Sequence, residues 1–337
     1  MLAQIARRLV TVAPTLIGVV IATFLLTRVL PGDPAVYFAG PAATKEAIAQ
    51  IRHALGLDRS LPAQFLVYIT DLAHGRFGNS LSTGQPVSAE LLSRLPASLE
   101  LTLCGLIVAV AVAVPLGITA ATRPNSWIDH FCRVVATAGV SLPTFFTGLL
   151  LVYVFYYLLG WAPAPLGRLD VVYSAPPHVT GFYLIDSLLA GDPGTFLAAL
   201  GQLILPALTL AIFTVAPIAR MTRAAMLSVL GSEFIRAARA SGLSRRRVIY
   251  VYAFRNAMLP VLTTLGMVFS FLLGANVLVE KVFAWPGVGS YAIEALIASD
   301  YAPVQGFVLV MAVLYIVLNL VIDVLYGVID PRAAVGA

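Results

Sequence analysis

Long runs of apolar residues without a single Asp, Glu, Lys or Arg dominate the pattern of this chain. Six such windows cover residues 9 to 27, 101 to 122, 134 to 167, 193 to 219, 256 to 279 and 301 to 322. Each is long enough for a membrane-spanning helix, which needs roughly 20 residues. A charge at the bilayer centre costs about 2.5 to 3.5 kcal/mol on insertion scales, so windows without charge are informative. The pattern predicts an all-α integral membrane protein with six transmembrane helices.

The overall composition agrees with this interpretation. Of the 337 residues, 60% are hydrophobic and 11% are charged, and the mean hydropathy is +0.93. Ordinary soluble domains carry about 25% charged residues. The first window follows Arg7 and Arg8, as a signal peptide would, but it exceeds the roughly 7 to 15 residues of a signal h-region. It also leads into PGDP and not into a small-residue cleavage site, so we expect an uncleaved helix.

Positive charges alternate between the loops that join the windows. Two arginines precede the first window, two follow the second, one follows the third, eight follow the fourth, and one lysine follows the fifth. Because cytoplasmic loops carry the excess of Lys and Arg, we expect both chain termini and the loop with eight arginines in the cytoplasm. The loops around Asp186 and Trp285 are then expected on the outside.

The longest polar stretch, residues 32 to 97, predicts an extracytoplasmic subdomain between helices 1 and 2. It contains the turn-forming strings GRFGNS and STGQP and the amphipathic string EAIAQIRHALGL. Two roles fit this stretch about equally, a cap over a pore mouth and a packed linker. The predicted organisation is one part at residues 1 to 97 and a second, with helices 2 to 6, at residues 98 to 330.

An arginine-rich segment interrupts the apolar pattern at residues 233 to 260, with six arginines and one acid. Gly231 predicts the end of helix 4, and Ser232 is suited to cap a short helix whose first turn carries Glu233. Gly242 predicts the end of that short helix, and Ser244 is suited to cap the next one. We therefore expect a helix, a turn and a second helix at the cytoplasmic face.

The turn of this hairpin is built from small residues. Ala237, Ala238, Ala240, Ser241 and Gly242 leave almost no side chain at its elbow, which suits insertion into a groove of another protein. The surrounding arginines are able to pair with acids on such a partner. The competing interpretation is that they only retain the loop in the cytoplasm and touch anionic lipid. The small elbow favours the protein partner, because lipid contact does not require it.

The hairpin resembles the cytoplasmic EAA loop of permease subunits in binding-protein-dependent ABC importers. That pattern has an acid, two alanines, three variable residues and a glycine, and RAARASG supplies all but the acid, which Arg236 replaces. The replacement is similar to the peptide and nickel permease branch, with IRTARAKG followed by RNAxLP. The resemblance implies a coupling loop at residues 224 to 258 that docks on an ATPase. Its expected docking residues are Glu233, Arg236, Ala237, Ala238, Arg239, Gly242, Arg245, Arg246 and Arg247.

Further motifs extend the resemblance over the whole chain. They include LPGDP at residues 30 to 34, TGQPV at 83 to 87, LILPALTLA at 203 to 211, VFAWPGVG at 282 to 289 and DPR at 330 to 332. The resemblance implies a type I ABC importer transmembrane domain at residues 98 to 330, in the bacterial inner membrane. It also implies a second permease subunit, expected to be a paralogue, two ATPase subunits that bind ATP, and an extracytoplasmic binding protein. The expected cargo is a di- or oligopeptide first, and nickel or another small solute second.

The chain itself offers little for chemistry. The phosphate-binding loop of an ATPase needs a lysine after a glycine, and Lys45 and Lys281 follow Thr and Glu instead. Cys104 and Cys132 have no paired spacing, and no histidine lies in the six windows, so we expect no catalytic residue, metal site or cofactor in this chain. A secondary transporter or channel and an intramembrane enzyme are rival functions, but the windows lack the ionisable groups that each would use. The expected surroundings are lipid and protein, without nucleic acid.

Polar residues on helix 5 are the candidates for lining a solute path, namely Thr263, Thr264, Ser270 and Asn276. Their alternative role is helix packing, together with Gly266 and Gly274, because small and weakly polar residues close helix crossings in membranes. Glu100, at the outer start of helix 2, is expected to anchor or pair rather than to bind cargo.

Overall fold

The computed structural model describes residues 14–25, 28, 33–40 and 42–329. Helices dominate this part of the chain, and the one β-type pairing within it is an isolated antiparallel bridge between Asn79 and Pro86. The helices are α1 (Pro14–Leu25), α2 (Pro34–Ala39), α3 (Lys45–Ala54), α4 (Leu61–Ala73), α5 (Val87–Thr122), α6 (Trp127–Ser141), α7 (Thr144–Leu151, continued as a π-helix at Val152–Leu158), α8 (Tyr183–Leu189), α9 (Pro193–Leu230), α10 (Glu233–Ala240), α11 (a π-helix at Arg247–Ala253, then Phe254–Val282), α12 (Val288–Ile297) and α13 (Tyr301–Ile329).

Four of these helices are long and apolar enough to cross a membrane, in agreement with four of the six predicted windows. They are α5, α9, α11 and α13. Residues 9 to 13 and 26 to 27 of the first window lie outside the described residues, as do residues 30 to 32 and the DPR motif. The helix α1 covers the middle of that window.

The prediction of one helix over residues 134 to 167 was wrong. The structure divides this window into α6 and α7, and Leu142 between them adopts an extended conformation. The cause is Pro143, because a proline disfavours the helical conformation of the residue before it and has no N–H for the helix ladder. An apolar window indicates that a segment lies in an apolar environment, but it does not indicate whether the helix within it is continuous.

The chain divides into two compact units. The first contains residues 1–98 and 286–317. Its core contains Val87, Leu91, Val288 and Tyr291, which are buried against partly buried neighbours such as Phe77. The Asp300 carboxylate accepts hydrogen bonds from the Ser80 hydroxyl at 2.7 Å and from the Ser82 amide at 3.1 Å, which ties the turn before α5 to the start of α13.

The second unit contains residues 99–285 and 318–337, and α9 is its centre. The neighbours of α9 in this unit are α6, α7, α8 and α11. The approach of α5 is close, because a Cβ added at Gly117 would lie 2.7 Å from the carbonyl oxygen of Ala219. Small residues at such crossings allow membrane helices to pack backbone against backbone.

A buried ion pair organises the loop between α7 and α9. Arg168 donates to the Glu100 carboxylate at 2.6 Å and to the Gly181 carbonyl at 2.7 Å, and its guanidinium lies over the Tyr183 ring. Glu100 also accepts from the Leu184 amide at 2.9 Å. The expectation that Glu100 is an anchor is confirmed. Because the pair is buried and multiply hydrogen-bonded, removal of either partner would leave an uncompensated charge.

Candidate coupling site at the arginine-rich hairpin

The hairpin between α9 and α11 begins and ends where the sequence predicts. The helix α9 ends at Leu230 with Gly231 as its C-cap, and α10 runs over Glu233–Ala240. Gly242 has a φ of +76°, in the left-handed region that glycine adopts without a Cβ penalty. Ser232 is the N-cap residue of α10, but its hydroxyl does not cap the helix as expected. It donates to the Val229 carbonyl at 2.6 Å and so closes the preceding turn of α9.

The inner face of α10 packs against the helices on both sides of the hairpin. Ile235 is fully buried and Ala238 is 8% exposed. They belong to one apolar cluster with Met226 of α9 and with Val248 and Ala253 of α11. The structure therefore places Ala238 inside the chain, and not on the outer surface where the small-residue elbow was expected to present it. The cluster therefore joins α10 to both α9 and α11.

The outer face of α10 carries the small residues that stay accessible. Ala237, Ala240, Ser241 and Gly242 are exposed. Phe234 is also 45% exposed, and it stands three residues before Ala237, so the two share one helical face. The pattern of small and charged positions in the sequence did not single out Phe234. An apolar knob followed by small residues suits a groove in another protein.

The arginines of the hairpin surround this face and extend into solvent. Arg236 pairs with Glu233 one turn earlier, but the two side chains are 68% and 84% exposed. A pair that is so exposed contributes about 0 to 1 kcal/mol. Within the described part of the chain, no ion pair is formed by Arg239, Arg245, Arg246 or Arg247, all of which are exposed. Their charge is available to a partner.

A buried ion pair lies one turn before the hairpin core. Arg223 of α9 donates to both carboxylate oxygens of Asp129, at 2.5 and 2.9 Å, and the Asn125 amide and Arg133 add hydrogen bonds to the same carboxylate. The hydrogen bonds from Arg223, against the opposing effect of burial, lower the pKa of Asp129 to about 2. The pair joins the N-terminus of α6 to α9, and the sequence did not indicate which of the many arginines would bind this acid.

Each of the four pathway candidates on α11 donates a side-chain hydrogen bond within the helix. The hydroxyls of Thr263, Thr264 and Ser270 donate to carbonyls four residues earlier in the helix. Asn276 donates to the Glu280 carboxylate at 3.0 Å, and both side chains are buried. These bonds favour the packing alternative for the buried members. Thr263 is exposed, and the pathway role of all four stays a prediction.

Glu280 is a buried acidic residue that the sequence pattern did not single out. It is 1% exposed at the end of α11, and its backbone carbonyl accepts from the Trp285 amide at 2.8 Å. In the sequence, Glu280 directly follows the apolar window that ends at residue 279, and this position at the end of a span was the one sign that it could be buried.

Comparison with known proteins agrees with the geometry. The model of the family described as "Binding-protein-dependent transport system inner membrane component" matches residues 113–335. The model of the corresponding N-terminal region of such membrane components matches residues 1–102. The two models together account for nearly the whole chain. This chain belongs to the family of binding-protein-dependent transport permeases.

Several curated permeases are similar to this one over almost their full length. The di/tripeptide transport system permease protein DppB of Pseudomonas aeruginosa (strain UCBPP-PA14) is 45% identical over 333 residues, covering 98% of both chains. The probable D,D-dipeptide transport system permease protein DdpB of Escherichia coli (strain K12) is 45% identical over 319 residues, covering 95% of this chain and 94% of its own. The dipeptide transport system permease protein DppB of the same strain is 43% identical over 336 residues, covering 98% of both chains.

Membership explains the composition of the permease. A multi-pass membrane component of a transport system needs apolar spans and a surface through which other subunits act on it. In the described part of the chain, four helices meet the requirement for spans, and the hairpin that connects two of them is strongly basic and packed into a core. The resemblance that the hairpin carried is thereby confirmed at the level of the family.

Proposed function

We propose that this permease forms, with a second permease subunit, the membrane pathway of an ATP-driven importer for di- and oligopeptides. A separate extracytoplasmic binding protein delivers the peptide, and two ATPase subunits bind and hydrolyse ATP. The observation that carries the proposal is the identity of 43 to 45%, over at least 94% of each chain, to permeases named for dipeptide transport. The division at residues 97 and 98, with an extracytoplasmic subdomain in the N-terminal part, belongs to the same proposal.

In this proposal the outer face of α10 docks on an ATPase subunit. Phe234, Ala237 and Ser241 face the ATPase groove, and the exposed arginines pair with acids around it. Ile235 and Ala238 do not touch the ATPase. They transmit its movement to α9 and α11, because they share a core with Met226 and Val248. Closure of the two ATPases around ATP moves the two docked hairpins as rigid bodies, and this changes which side of the membrane the pathway opens to.

Six transmembrane helices, with both termini and the hairpin in the cytoplasm, complete the arrangement. The two spans in addition to α5, α9, α11 and α13 are the first window, around α1, and the window that α6 and α7 share. The positive charge of the hairpin supports this orientation. Thr263, on the exposed side of α11, is the pathway candidate that is best placed to meet a solute.

Gly242 offers the sharpest test of the proposal. We expect Gly242→Arg to abolish ATP-dependent uptake of a labelled dipeptide in cells that express all five components, and to abolish cross-linking of an ATPase to a cysteine placed at Ala240. The large cation would obstruct the docked elbow. The same variant should still reach the membrane, because a Cβ at Gly242 meets no heavy atom within 4 Å and its cost is confined to the strain of the left-handed φ.

Gly242→Asn is the matched control, since asparagine tolerates the left-handed conformation and carries no charge. It should keep most of the uptake and the cross-link, which separates obstruction from backbone strain. Full uptake by Gly242→Arg, or uptake by this permease alone without ATP, would overturn the proposal.

A further inference from the structure

The helix α4 turns its polar residues inward and its apolar residues outward. With about 3.6 residues per turn, its positions divide into two faces. One face is half-buried and contains Gln64, Phe65, Tyr68, Asp71 and Leu72. The opposite face is exposed and consists of Pro62, Ala63, Leu66, Val67, Ile69, Thr70 and Ala73. Thr70 is the only polar member of the exposed face, and its hydroxyl donates to the Leu66 carbonyl at 2.7 Å.

This polarity is the reverse of that of a helix on the surface of a soluble protein, which points its apolar face toward the core. The helix α3 of the same unit follows the ordinary pattern, because it exposes Gln50 and Arg52 and half-buries Ile48 and Ile51. In α4, by contrast, Leu66 is 69% exposed. A contiguous exposed apolar surface marks contact with another protein or with a membrane. The neighbours of α4 decide between these two.

The half-buried face of α4 packs on α1. The Phe65 ring meets the Phe24 ring edge-on with centroids 5.1 Å apart, and the Tyr68 ring stacks on Phe24 at 5.7 Å. Phe24 belongs to the first apolar window, which ends at residue 27. Leu25 follows Phe24 and is 49% exposed, so the exposed apolar surface of α1 extends as far as its contact with α4. The lipid that surrounds α1 at this level therefore also reaches α4.

Arg28 marks the depth of this contact. It is the first charged residue after the apolar window, and arginines at the end of a spanning helix lie at the level of the headgroups. Its Nε donates to the Gln64 side-chain oxygen at 2.9 Å, and its guanidinium lies 4.7 Å from the centre of the Phe24 ring. The Gln64 amide donates in turn to the Arg59 carbonyl at 2.8 Å, in the polar loop before α4. The helix α4 is thus tied to the boundary between polar and apolar surroundings.

We propose that the exposed face of α4 is seated in the outer leaflet of the membrane, at the boundary between the headgroups and the acyl chains of phospholipids. The helix then anchors the first unit to the membrane surface beside α1. Interfacial helices bind membranes in this way, with an apolar face buried by about 5 to 10 Å. This proposal rests on the proposed function for its topology, in which the first window crosses the membrane from the cytoplasm outward, and it is independent of the cargo.

The collision rates of a spin label with two reagents test the proposal. A nitroxide is attached at Leu66→Cys in the full chain without Cys104 and Cys132, assembled with its second permease and the ATPases in vesicles of phosphatidylethanolamine and phosphatidylglycerol. Oxygen concentrates among acyl chains, whereas the nickel complex NiEDDA stays in water, and electron paramagnetic resonance measures both collision rates. The ratio of oxygen to nickel collisions should be several-fold higher at Leu66→Cys than at Gln50→Cys. Gln50→Cys is the matched control, because it lies on the exposed polar face of α3.

Val67→Cys, on the same face of α4, should give the same high ratio as Leu66→Cys, and uptake of a labelled dipeptide by each spin-labelled importer shows that the variants fold. A ratio at Leu66→Cys and Val67→Cys as low as that at Gln50→Cys would overturn the proposal, because the face would then meet water. Low collision rates with both reagents would overturn it as well, because a protein subunit would then cover the face. Absence of dipeptide uptake by the unlabelled importer would refute the proposed function, whereas the collision ratio reports on α4 alone.

Discussion

Two buried aspartates in the described part of the second unit, Asp129 and Asp186, are each met by several hydrogen-bond donors. Asp186 is 1% exposed, and burial raises its pKa, but the hydroxyl and amide of Thr180 and the amides of Gly181 and Val179 outweigh that effect. The pKa of Asp186 is therefore lowered. Asp129 is held in the same way by Arg223, Asn125 and Arg133. Such groups cost too much to bury alone, so each marks a point where the chain is tied together.

Asp129→Asn is expected to destabilise the permease. The change leaves Arg223 without its carboxylate, and a charged hydrogen bond of this kind contributes about 2 kcal/mol. Thermal unfolding of the chain in detergent near neutral pH measures the loss. Arg133→Gln should have a much smaller effect, because Arg133 is 51% exposed and Arg223 would keep the carboxylate bound.

The effect of Asp129 should depend on pH in a defined window. Its pKa falls from 3.8 in the unfolded chain to about 2 in the folded one, so the folded state favours the ionised form. The stabilisation is fully present above about pH 4 and is lost as the pH falls through about 2. The difference in unfolding midpoint between the wild type and Asp129→Asn should accordingly be constant above pH 4 and shrink below it. A difference that grows on acidification would contradict this assignment.

At the scale of the elements, two spanning helices of the second unit, α5 and α9, pack with their backbones close together. Gly117 of α5 lies against Ala219 and Thr222 of α9, and Gly105 lies against Leu210. These glycines allow the backbones of α5 and α9 to approach closely. Such close packing matters in a membrane, because lipid tails are as apolar as the side chains and the hydrophobic effect does little to drive helices together.

Gly117→Ala should destabilise the permease by about 1 to 3 kcal/mol, the usual cost of overpacking. The added Cβ would lie 2.7 Å from the Ala219 carbonyl oxygen and 2.7 Å from the Thr222 Cβ. Gly274→Ala in α11 is the matched control, because its Cβ would meet no heavy atom within 4 Å, and alanine favours the helix by up to about 1 kcal/mol. Unfolding midpoints in detergent compare the two. Equal midpoints would show that α5 and α9 do not pack as described.

At the scale of the whole molecule, function depends on a chain that presents different surfaces to the two sides of the membrane. The basic hairpin and the loop between α7 and α9 are expected on opposite sides. Val171, in that loop, is 88% exposed, and Ser244 in the hairpin is exposed too. Both positions can therefore report on the topology.

Labelling of single cysteines tests the six-helix topology. In a variant without Cys104 and Cys132, Val171→Cys should react with a membrane-impermeant maleimide in intact spheroplasts, and Ser244→Cys should react only after lysis. The physical basis is the positive-inside distribution of arginines. Reaction of both cysteines in intact spheroplasts would reject this arrangement. Labelling of each variant after lysis is the control, because it shows that the cysteine is able to react once the maleimide reaches both sides of the membrane.

Much of this architecture follows from local pattern. The hairpin was predicted from Gly231 and Gly242, because a helix end and a left-handed residue are set by a few neighbouring positions. The split at Pro143 was missed although its signal is local, because hydropathy over residues 134 to 167 is insensitive to one residue. Phe234 and Glu280 were missed because a single apolar or acidic residue has many possible surroundings.

The amino-acid sequence by itself determined the class of this protein, the family to which it belongs and the order of its long helices, since these depend on apolar run length, charge distribution and short motifs. Only the tertiary structure decided that Ala238 faces the core, and that Asp129 pairs with Arg223 and not with Arg220. The physical reason is that such pairings join residues distant in the chain, and their free energy depends on distance and burial that exist only after α6, α9, α10 and α11 have packed.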